Sequence, residues 1–233
     1  ARLLAQAGVG EIDLVDPDQM KLENTSRHIL GADTYRQSKA AALAQRLQRD
    51  FPHSRATGHP TGWQELAVDH TDVLSQADLV VSTIGSWSHE AELNVRQLMT
   101  GHPATVLYAW AEPHAAAGHA VLIGKSGGCL ACGLSSTGQP LFCAAEFPAS
   151  TLQREAACGN YFQPYGVPEI TAIASMAADL ALDHLLDRAG DGVYRIASGR
   201  EPAIGRVGGS WTNDWRAATQ NRPSATMVDR VWR

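Results

Sequence analysis

A carboxylate, an amide and two cations follow one short apolar segment of this 233-residue sequence. Residues 11–15 (EIDLV) lead into Asp16, and Asn24, Arg27 and Lys39 come soon after it. An acid at the tip of a buried strand is the position at which dinucleotide folds hold a ribose. Arginine offers a planar fork to phosphate oxygens, and lysine offers a point charge. Together these residues predict a site that holds a nucleoside triphosphate.

The spacing of these residues resembles the adenylation domain of the ThiF/MoeB/HesA family, which is related to the ubiquitin-activating enzymes. The family pattern is an acid pair, then Asn-x-x-Arg, then a lysine. Here it reads Asp16-Pro17-Asp18, Asn24-Thr25-Ser26-Arg27 and Lys39. The resemblance implies that Arg27 and Lys39 are catalytic, and that ATP, with Mg²⁺, is bound by Asp16, Asp18, Asn24, Arg27 and Lys39.

The implied activity is that of an enzyme, a ubiquitin-like-modifier-activating adenylyltransferase. It would adenylate the C-terminal glycine of a ubiquitin-like protein and then take the acyl group onto a cysteine as a thioester. Two alternatives stay open: adenylation of a sulfur-carrier protein without a cysteine intermediate, and an impaired module that only binds its partner. A nicotinamide dehydrogenase is disfavoured, because Asn24, Arg27 and Lys39 would have no role in it. The resemblance also implies a homodimer.

The sequence departs from the family pattern at two places. The family carries a Gly-x-Gly-x-x-Gly loop before its first helix, whereas this chain opens on residues 1–8 (ARLLAQAG), which we interpret as the end of that helix. We therefore expect the phosphate loop to precede Ala1. The family also carries a magnesium-binding Asp after its fourth strand, and the matching residues 82–87 (STIGSW) contain no acid. Glu90 lies nearby on the following helix, and Asp18 lies near the ribose site.

The four cysteines offer two kinds of chemistry. Cys129 and Cys132 have zinc-knuckle spacing, and a close Cys-x-x-Cys pair indicates metal or redox chemistry rather than a secreted disulfide scaffold. Cys143 and Cys158 are single. One hypothesis is a zinc site that uses all four thiolates. The other leaves the metal out and makes Cys158 the thioester nucleophile.

We favour Cys158 as the nucleophile. It lies among small residues in a long loop, which is similar to where ubiquitin-activating enzymes carry their acceptor cysteine, and Arg154 is near enough in sequence to lower its pKa. Residues 158–165 (CGNYFQPY) resemble bacterial ThiF-type domains that accompany ubiquitin-conjugating-like domains. That resemblance implies a ubiquitin-conjugating-like domain as a further partner.

The composition excludes several classes of protein. A net charge of −5 disfavours a nucleic-acid or anionic-membrane surface, and no apolar run is long enough to span a bilayer. Together with the cysteine pattern, this predicts a cytoplasmic protein.

Apolar runs alternate with helical patterns, which predicts an α/β fold: a Rossmann-like, mostly parallel sheet with helices on both faces. We expect a nucleotide-binding core over residues 1–125 and a Cys-containing crossover excursion over 126–168. A C-terminal helix, strand and tail over 169–233 would complete the same domain.

Overall fold

The protein is described from a computed structural model over residues 1–26, 28–101, 104–126, 128–151, 153–154, 161–162 and 165–232. The chain divides into two compact units, Ala1–Ala77 and Asp78–Arg233. The predicted boundaries after residues 125 and 168 remain predictions. Among the described residues, no helix combines the length and apolar character that a bilayer span requires.

The first unit contains a pair of parallel strands and four helices. In chain order these are α1 (Arg2–Gln6), β1 (Glu11–Val15), α2 (Lys39–Asp50), β2 (Arg55–His59), α3 (Trp63–Asp69) and α4 (Thr71–Gln76). Two short 3-10 helices, Leu22–Ser26 and Ala32–Thr34, lie in the loop between β1 and α2.

Helix α2 forms the core of this unit against the two strands. Its buried residues Ala44 and Leu47 pack on Ile12 of β1 and Ala56 of β2. The Ser38 hydroxyl accepts the Ala41 N–H at 3.3 Å and caps the first turn, as serine commonly does at a helix start. The local sequence therefore determines both which residues of α2 are buried and where the helix begins.

Gly58 of β2 lets the first turn of α2 approach the strand closely. A Cβ atom added at Gly58 would lie 2.5 Å from the Ala40 carbonyl oxygen and 2.6 Å from the Ala41 Cα atom. Both are backbone atoms, so no side-chain rotation can relieve the clash. The position of the α2 N-terminus, and hence of Lys39, depends on this glycine.

The second unit is larger and contains a five-stranded sheet. Its elements, in chain order, are β3 (Leu79–Ser82), α5 (Trp87–Met99), β4 (Thr105–Ala111), β5 (Ala117–Ile123), β6 (Ala145–Glu146), β7 (Gln153–Arg154), β8 (Tyr161–Phe162), α6 (Val167–Leu185), β9 (Val193–Ser198), α7 (Glu201–Gly205), β10 (Ser210–Trp211), α8 (Asn213–Ala218) and β11 (Met227–Val231). The main sheet has the order β11-β9-β5-β4-β3, while β6 pairs with β10 and β7 with β8.

The α/β organisation is confirmed, but the sheet of the second unit is mixed. Strands β3 and β4 are parallel, whereas β4–β5, β5–β9 and β9–β11 are antiparallel. The reversal begins at the short connection from β4 to β5, residues 112–116. A parallel connection requires a crossover of a dozen or more residues, so this short connection can only join antiparallel strands.

Helices cover both faces of the five-stranded sheet. On one face, Gly118 of β5 lies against the Ile173 side chain of α6. On the other face, Gln97 of α5 approaches the Tyr108 hydroxyl of β4 at 3.5 Å. Gly118 pairs with Ala111 of β4, so these two residues share a face of the sheet. Tyr108 lies three positions before Ala111, and because successive strand residues alternate between faces, Tyr108 points to the opposite face.

We predict that Gly58→Ala lowers the free energy of unfolding by about 1–3 kcal/mol, because the added methyl group forces α2 away from β2. Urea denaturation followed by circular dichroism measures the effect. Gly10→Ala is the matched control, since a Cβ atom at Gly10 meets no atom within 4 Å. Equal stability of the two variants would contradict the close approach.

Candidate functional site

The loop between β1 and α2 folds back on itself and brings its two ends together. The Lys39 N–H donates to the Asp18 carbonyl at 2.9 Å, and the Met20 N–H donates to the Gln37 carbonyl at 2.8 Å. The Arg36 N–H donates to the Met20 carbonyl at 2.9 Å. This short antiparallel ladder places the residues just after β1 beside the first residue of α2.

The acid pair at the end of β1 forms a compact turn. The Asp16 N–H extends the strand by donating to the His59 carbonyl at 3.2 Å. The Asp16 Oδ1 atom accepts the Asp18 N–H at 2.8 Å, which is the geometry of an Asx turn. Asp16 therefore orients the backbone of Asp18 as well as presenting its own carboxylate at the strand tip.

Lys39 and Asp18 form an ion pair at the N-terminus of α2. The Lys39 Nζ atom lies 2.7 Å from Asp18 Oδ2, and the two side chains are 17% and 65% exposed. A cation at a helix N-terminus is unfavourable, because the helix dipole is positive there. A surface ion pair contributes at most about 1 kcal/mol, so an anionic ligand can replace Asp18 as the partner of Lys39 at little cost.

The structure places Asn24 within the 3-10 helix Leu22–Ser26. Its Oδ1 atom accepts the Lys21 N–H at 3.1 Å, and its carbonyl accepts the His28 N–H at 2.9 Å. Asn24 therefore stabilises the loop that carries the motif. Arg27, the predicted second cation, lies outside the described residues.

His28 joins this group, although the sequence analysis did not identify it. Its Nδ1 atom accepts the Leu30 N–H at 3.1 Å, which leaves the proton of the neutral ring on Nε2. Burial and the neighbouring Lys39 cation lower the pKa of His28, while Asp16 opposes them. The imidazole thus lies within electrostatic reach of two motif residues. One sequence signal could have identified His28 as a candidate site residue: it directly follows Arg27 of the motif.

Glu90 of the second unit lies at the carboxyl end of β3, where the sequence lacks the family's acid. Its carboxylate accepts the Ser82 hydroxyl at 3.0 Å and the backbone N–H groups of Ile84 and Gly85. Burial raises the pKa of Glu90, and these hydrogen bonds partly offset the rise. The carboxylate therefore holds the loop after β3 in shape.

The Cys129–Cys132 pair lies at the start of the 3-10 helix Leu130–Gly133. The two sulfur atoms are 3.1 Å apart, and the Cys129 N–H lies 3.3 Å from the Cys132 sulfur. A structural zinc site takes four ligands. Within the described part of the chain no third His, Cys, Asp or Glu joins the pair. The described residues therefore provide half of a zinc site.

Cys143 carries a thiol that is mostly protonated at neutral pH. It is half-buried, and burial together with the nearby Glu112 charge raises its pKa to about 11. Glu112 is buried and accepts the Ala144 and Ala145 N–H groups at 2.5 and 2.9 Å. Its Oε1 atom also lies 2.7 Å from His119 Nε2. Cys158 lies outside the described residues.

Comparison with protein families matches residues 1–202 to the model of the ThiF family. The chain belongs to the ThiF family. This confirms the resemblance drawn from the spacing of residues 16–39. No curated protein matches the sequence.

The ThiF fold is also shared with E. coli MccB. The MccB crystal structure with MccA-N7isoASN superposes with a TM-score of 0.63 at 12% identity, covering 99% of this chain and 59% of that one. The complex with ATP gives 0.62 at 14% identity, covering 91% and 58%. The complex with SeMet MccA gives 0.64 at 13% identity, covering 99% and 58%. The chain thus spans somewhat more than half of MccB, and the Rossmann-like fold class is confirmed.

We predict that Lys39→Ala raises the pKa of His28 in this ThiF-family chain. Removing the neighbouring cation stabilises the imidazolium, while Asp16 continues to favour it. Histidine ring resonances followed by NMR across a pH titration measure the change. Arg49→Ala is the control, because Arg49 pairs with Asp50 at the other end of α2. An unchanged or lowered His28 pKa in Lys39→Ala would contradict the arrangement.

Proposed function

We propose that this ThiF-family chain is the adenylation domain of an enzyme that activates a ubiquitin-like protein with ATP. The observation that carries the proposal is Lys39 at the first position of α2, with Asp18, Asp16 and His28 around it. A lysine there opposes the helix dipole, and such local conflicts are characteristic of functional sites. An anionic ligand resolves the conflict.

Each motif residue would contact a different part of the nucleotide. Asp16, at the tip of β1, would hold the ribose hydroxyls. Lys39 would neutralise phosphate charge together with Arg27, and Asn24 would support the loop and reach a phosphate or ribose oxygen. His28 would donate its Nε2 proton to an oxygen of the same ligand. The family match and the ATP complex of MccB support this assignment.

Magnesium would accompany the nucleotide. Mg²⁺ commonly binds through one or two carboxylates together with substrate phosphates, so it does not need a protein cage. Asp18 is an exposed carboxylate next to Lys39 and would hold the ion once Lys39 turns to the phosphates. Glu90 is less suitable, because its oxygens already accept three hydrogen bonds.

The proposed reaction consists of two displacements. The C-terminal carboxylate of the ubiquitin-like protein attacks the α-phosphorus of ATP, and the bond to the β-phosphate oxygen breaks to release pyrophosphate. The Cys158 thiolate then attacks the carbonyl carbon of the mixed anhydride and displaces AMP, giving the thioester. Among the described cysteines, Cys143 is a poor candidate because its thiol is protonated at neutral pH.

A second candidate function stops at the first displacement. One MccB structure contains AMPCPP together with SeMet MccA, which supports a fold that holds a nucleotide and a second partner. A sulfur-carrier protein or a peptide adenylated without a thioester would then be the substrate. The test below separates the two. On the basis of the family resemblance, we also propose that the enzyme is a homodimer that acts with a ubiquitin-conjugating-like domain. The composition and the cysteine pattern favour a cytoplasmic location.

We predict that Lys39→Ala lowers ATP–pyrophosphate exchange by the intact protein roughly a hundredfold, corresponding to about 3 kcal/mol. Its unfolding midpoint should stay at or above that of the wild type, because the substitution removes a cation from a helix N-terminus. Arg49→Ala, on the exposed end of the same helix, should leave exchange unchanged. Normal exchange in Lys39→Ala would rule out its phosphate role.

We predict that Cys158→Ala retains pyrophosphate exchange and loses the reducible adduct with the ubiquitin-like protein. Adenylation and thioester transfer are separate steps, and only the second needs the thiol. Non-reducing gels before and after treatment with a thiol reductant measure the adduct. Cys143→Ala should keep both activities. If wild-type protein exchanges pyrophosphate yet forms no reducible adduct, the second candidate function replaces the first.

A further inference from the structure

Strand β11 is the outermost strand on one side of the five-stranded sheet. The Trp232 N–H just after it donates to the Gly192 carbonyl at 2.8 Å, which makes these two residues a hydrogen-bonded pair. Bonded and non-bonded pairs alternate along an antiparallel ladder, so every second residue of β11 points its N–H and C=O groups away from β9. These residues are Met227, Asp229 and Val231.

The outward edge of β11 is open. Met227 and Val231 are 55% and 66% exposed. Within the described residues, no other backbone group donates to or accepts from the outward backbone atoms of Met227, Asp229 and Val231. Native edge strands are commonly blocked by proline or lysine, and residues 227–231 (MVDRV) contain neither. The edge is therefore able to pair with a further strand.

A groove of about 570 Å³ adjoins β11. Its lining includes Val228 and Arg230 of β11, Phe142, and Asp214 and Ala217 of α8. The Arg230 Cζ atom lies 3.9 Å from the centroid of the Phe142 ring, so the aromatic face fixes the guanidinium without occupying its N–H donors. Among the described residues, Arg230 forms no ion pair. The groove therefore offers a preoriented cation to a carboxylate.

The opposite side of β11 carries excess negative charge. The Asp229 carboxylate lies 2.8 Å from the Arg195 guanidinium, and Asp179 and Asp183 of α6 bind the same group at 2.8 and 3.0 Å. Three carboxylates thus share one cation there. Because side chains alternate along a strand, Arg230 faces the groove while Asp229 faces α6. An acid on an added strand is consequently favoured on the groove side and disfavoured on the α6 side.

We propose that β11 is the docking edge for an extended segment of a partner protein, which adds to the sheet as a sixth strand and places a carboxylate on Arg230. In the antiparallel direction, the preferred partner sequence is apolar, acid, uncharged, apolar and apolar. These residues lie opposite residues 231 to 227 in turn, so that apolar side chains cover Met227 and Val231. The nucleotide motif, residues 16–39, lies outside the strand and the groove, so docking here is independent of ATP.

A second copy of this chain fits the edge less well. The antiparallel register that pairs the outward backbone groups of two β11 strands centres on Asp229 and sets it opposite the same residue of the other copy. Like charges directly opposite each other are destabilising. The same register sets Arg230 opposite Val228 and leaves the guanidinium without a carboxylate. A partner of different sequence avoids both defects.

The test uses the intact protein and the capped peptide acetyl-Gly-Ser-Val-Glu-Thr-Val-Val-Ser-Gly-amide, whose central five residues follow the preferred sequence. We expect the amide resonances of Met227, Asp229 and Val231 to shift saturably in an NMR titration. Replacing the Glu of the peptide by Lys should weaken binding about tenfold, because attraction to Arg230 becomes repulsion. The absence of saturable shifts in β11 overturns the proposal. No ATP is present, so failure here is distinguishable from failure of the proposed adenylation.

A charge reversal separates a direct contact from a loss of folding. Arg230→Glu should bind the Glu peptide about tenfold more weakly than wild type does, and it should prefer the Lys peptide. Arg206→Glu is the matched control, because Arg206 is also exposed and forms no ion pair among the described residues. This control should bind both peptides as wild type does. An unchanged preference for the Glu peptide in Arg230→Glu contradicts the proposed contact.

Val231→Pro tests the backbone pairing. Proline removes only the outward N–H at this position and leaves the hydrogen bonds between β9 and β11 in place. The unfolding midpoint should therefore stay close to that of wild type while peptide binding is lost, whereas Val231→Thr keeps the N–H group and should bind. Unaltered binding by Val231→Pro overturns the strand addition. A wild-type dimer that dissociates in Val231→Pro also overturns it, because the edge then belongs to a second copy.

Discussion

The position of Lys39 at the first residue of α2 is the constraint on which the candidate site depends. The cation opposes the helix dipole, and the loop after β1 compensates by folding back to place Asp18 at 2.7 Å. That fold-back depends on the backbone hydrogen bonds between residues 18–20 and residues 36–39. Helix α2 can approach β2 closely only because residue 58 is a glycine. The position of Lys39 therefore depends on the turn at Asp16, the loop register and a glycine in β2.

A buried charge has a comparable role in the second unit. Glu112 accepts two backbone N–H groups from residues 144–145 and lies beside His119, whose other ring nitrogen is 2.5 Å from the Tyr194 hydroxyl. A buried carboxylate without such partners would be strongly unfavourable. The network ties the connection between β4 and β5 to the Cys-containing segment. Burial raises the pKa of Cys143, and the negative charge of Glu112 adds to the rise, so the thiol stays protonated at neutral pH.

The three described cysteines differ in their surroundings. Cys143 is shielded and uncharged, whereas Cys129 and Cys132 face each other near the surface. The thioester step that we propose belongs to Cys158. The separation matters physically, because a nucleophile that joined a stable disulfide or a metal site would lose its reactivity.

The sequence by itself determined the family and the α/β class, and it predicted the residues of the candidate nucleotide site. These depend on local signals: a strand ending in an acid, a serine that caps α2, and a motif that spans one loop. The structure alone decided that Asp18 pairs with Lys39 and that His28 joins them. It also decided that the sheet turns antiparallel after β4 and that Trp232 holds the Cys129 turn across 103 residues. Such contacts depend on strand pairing and loop closure between distant segments, which residue spacing along the chain does not encode.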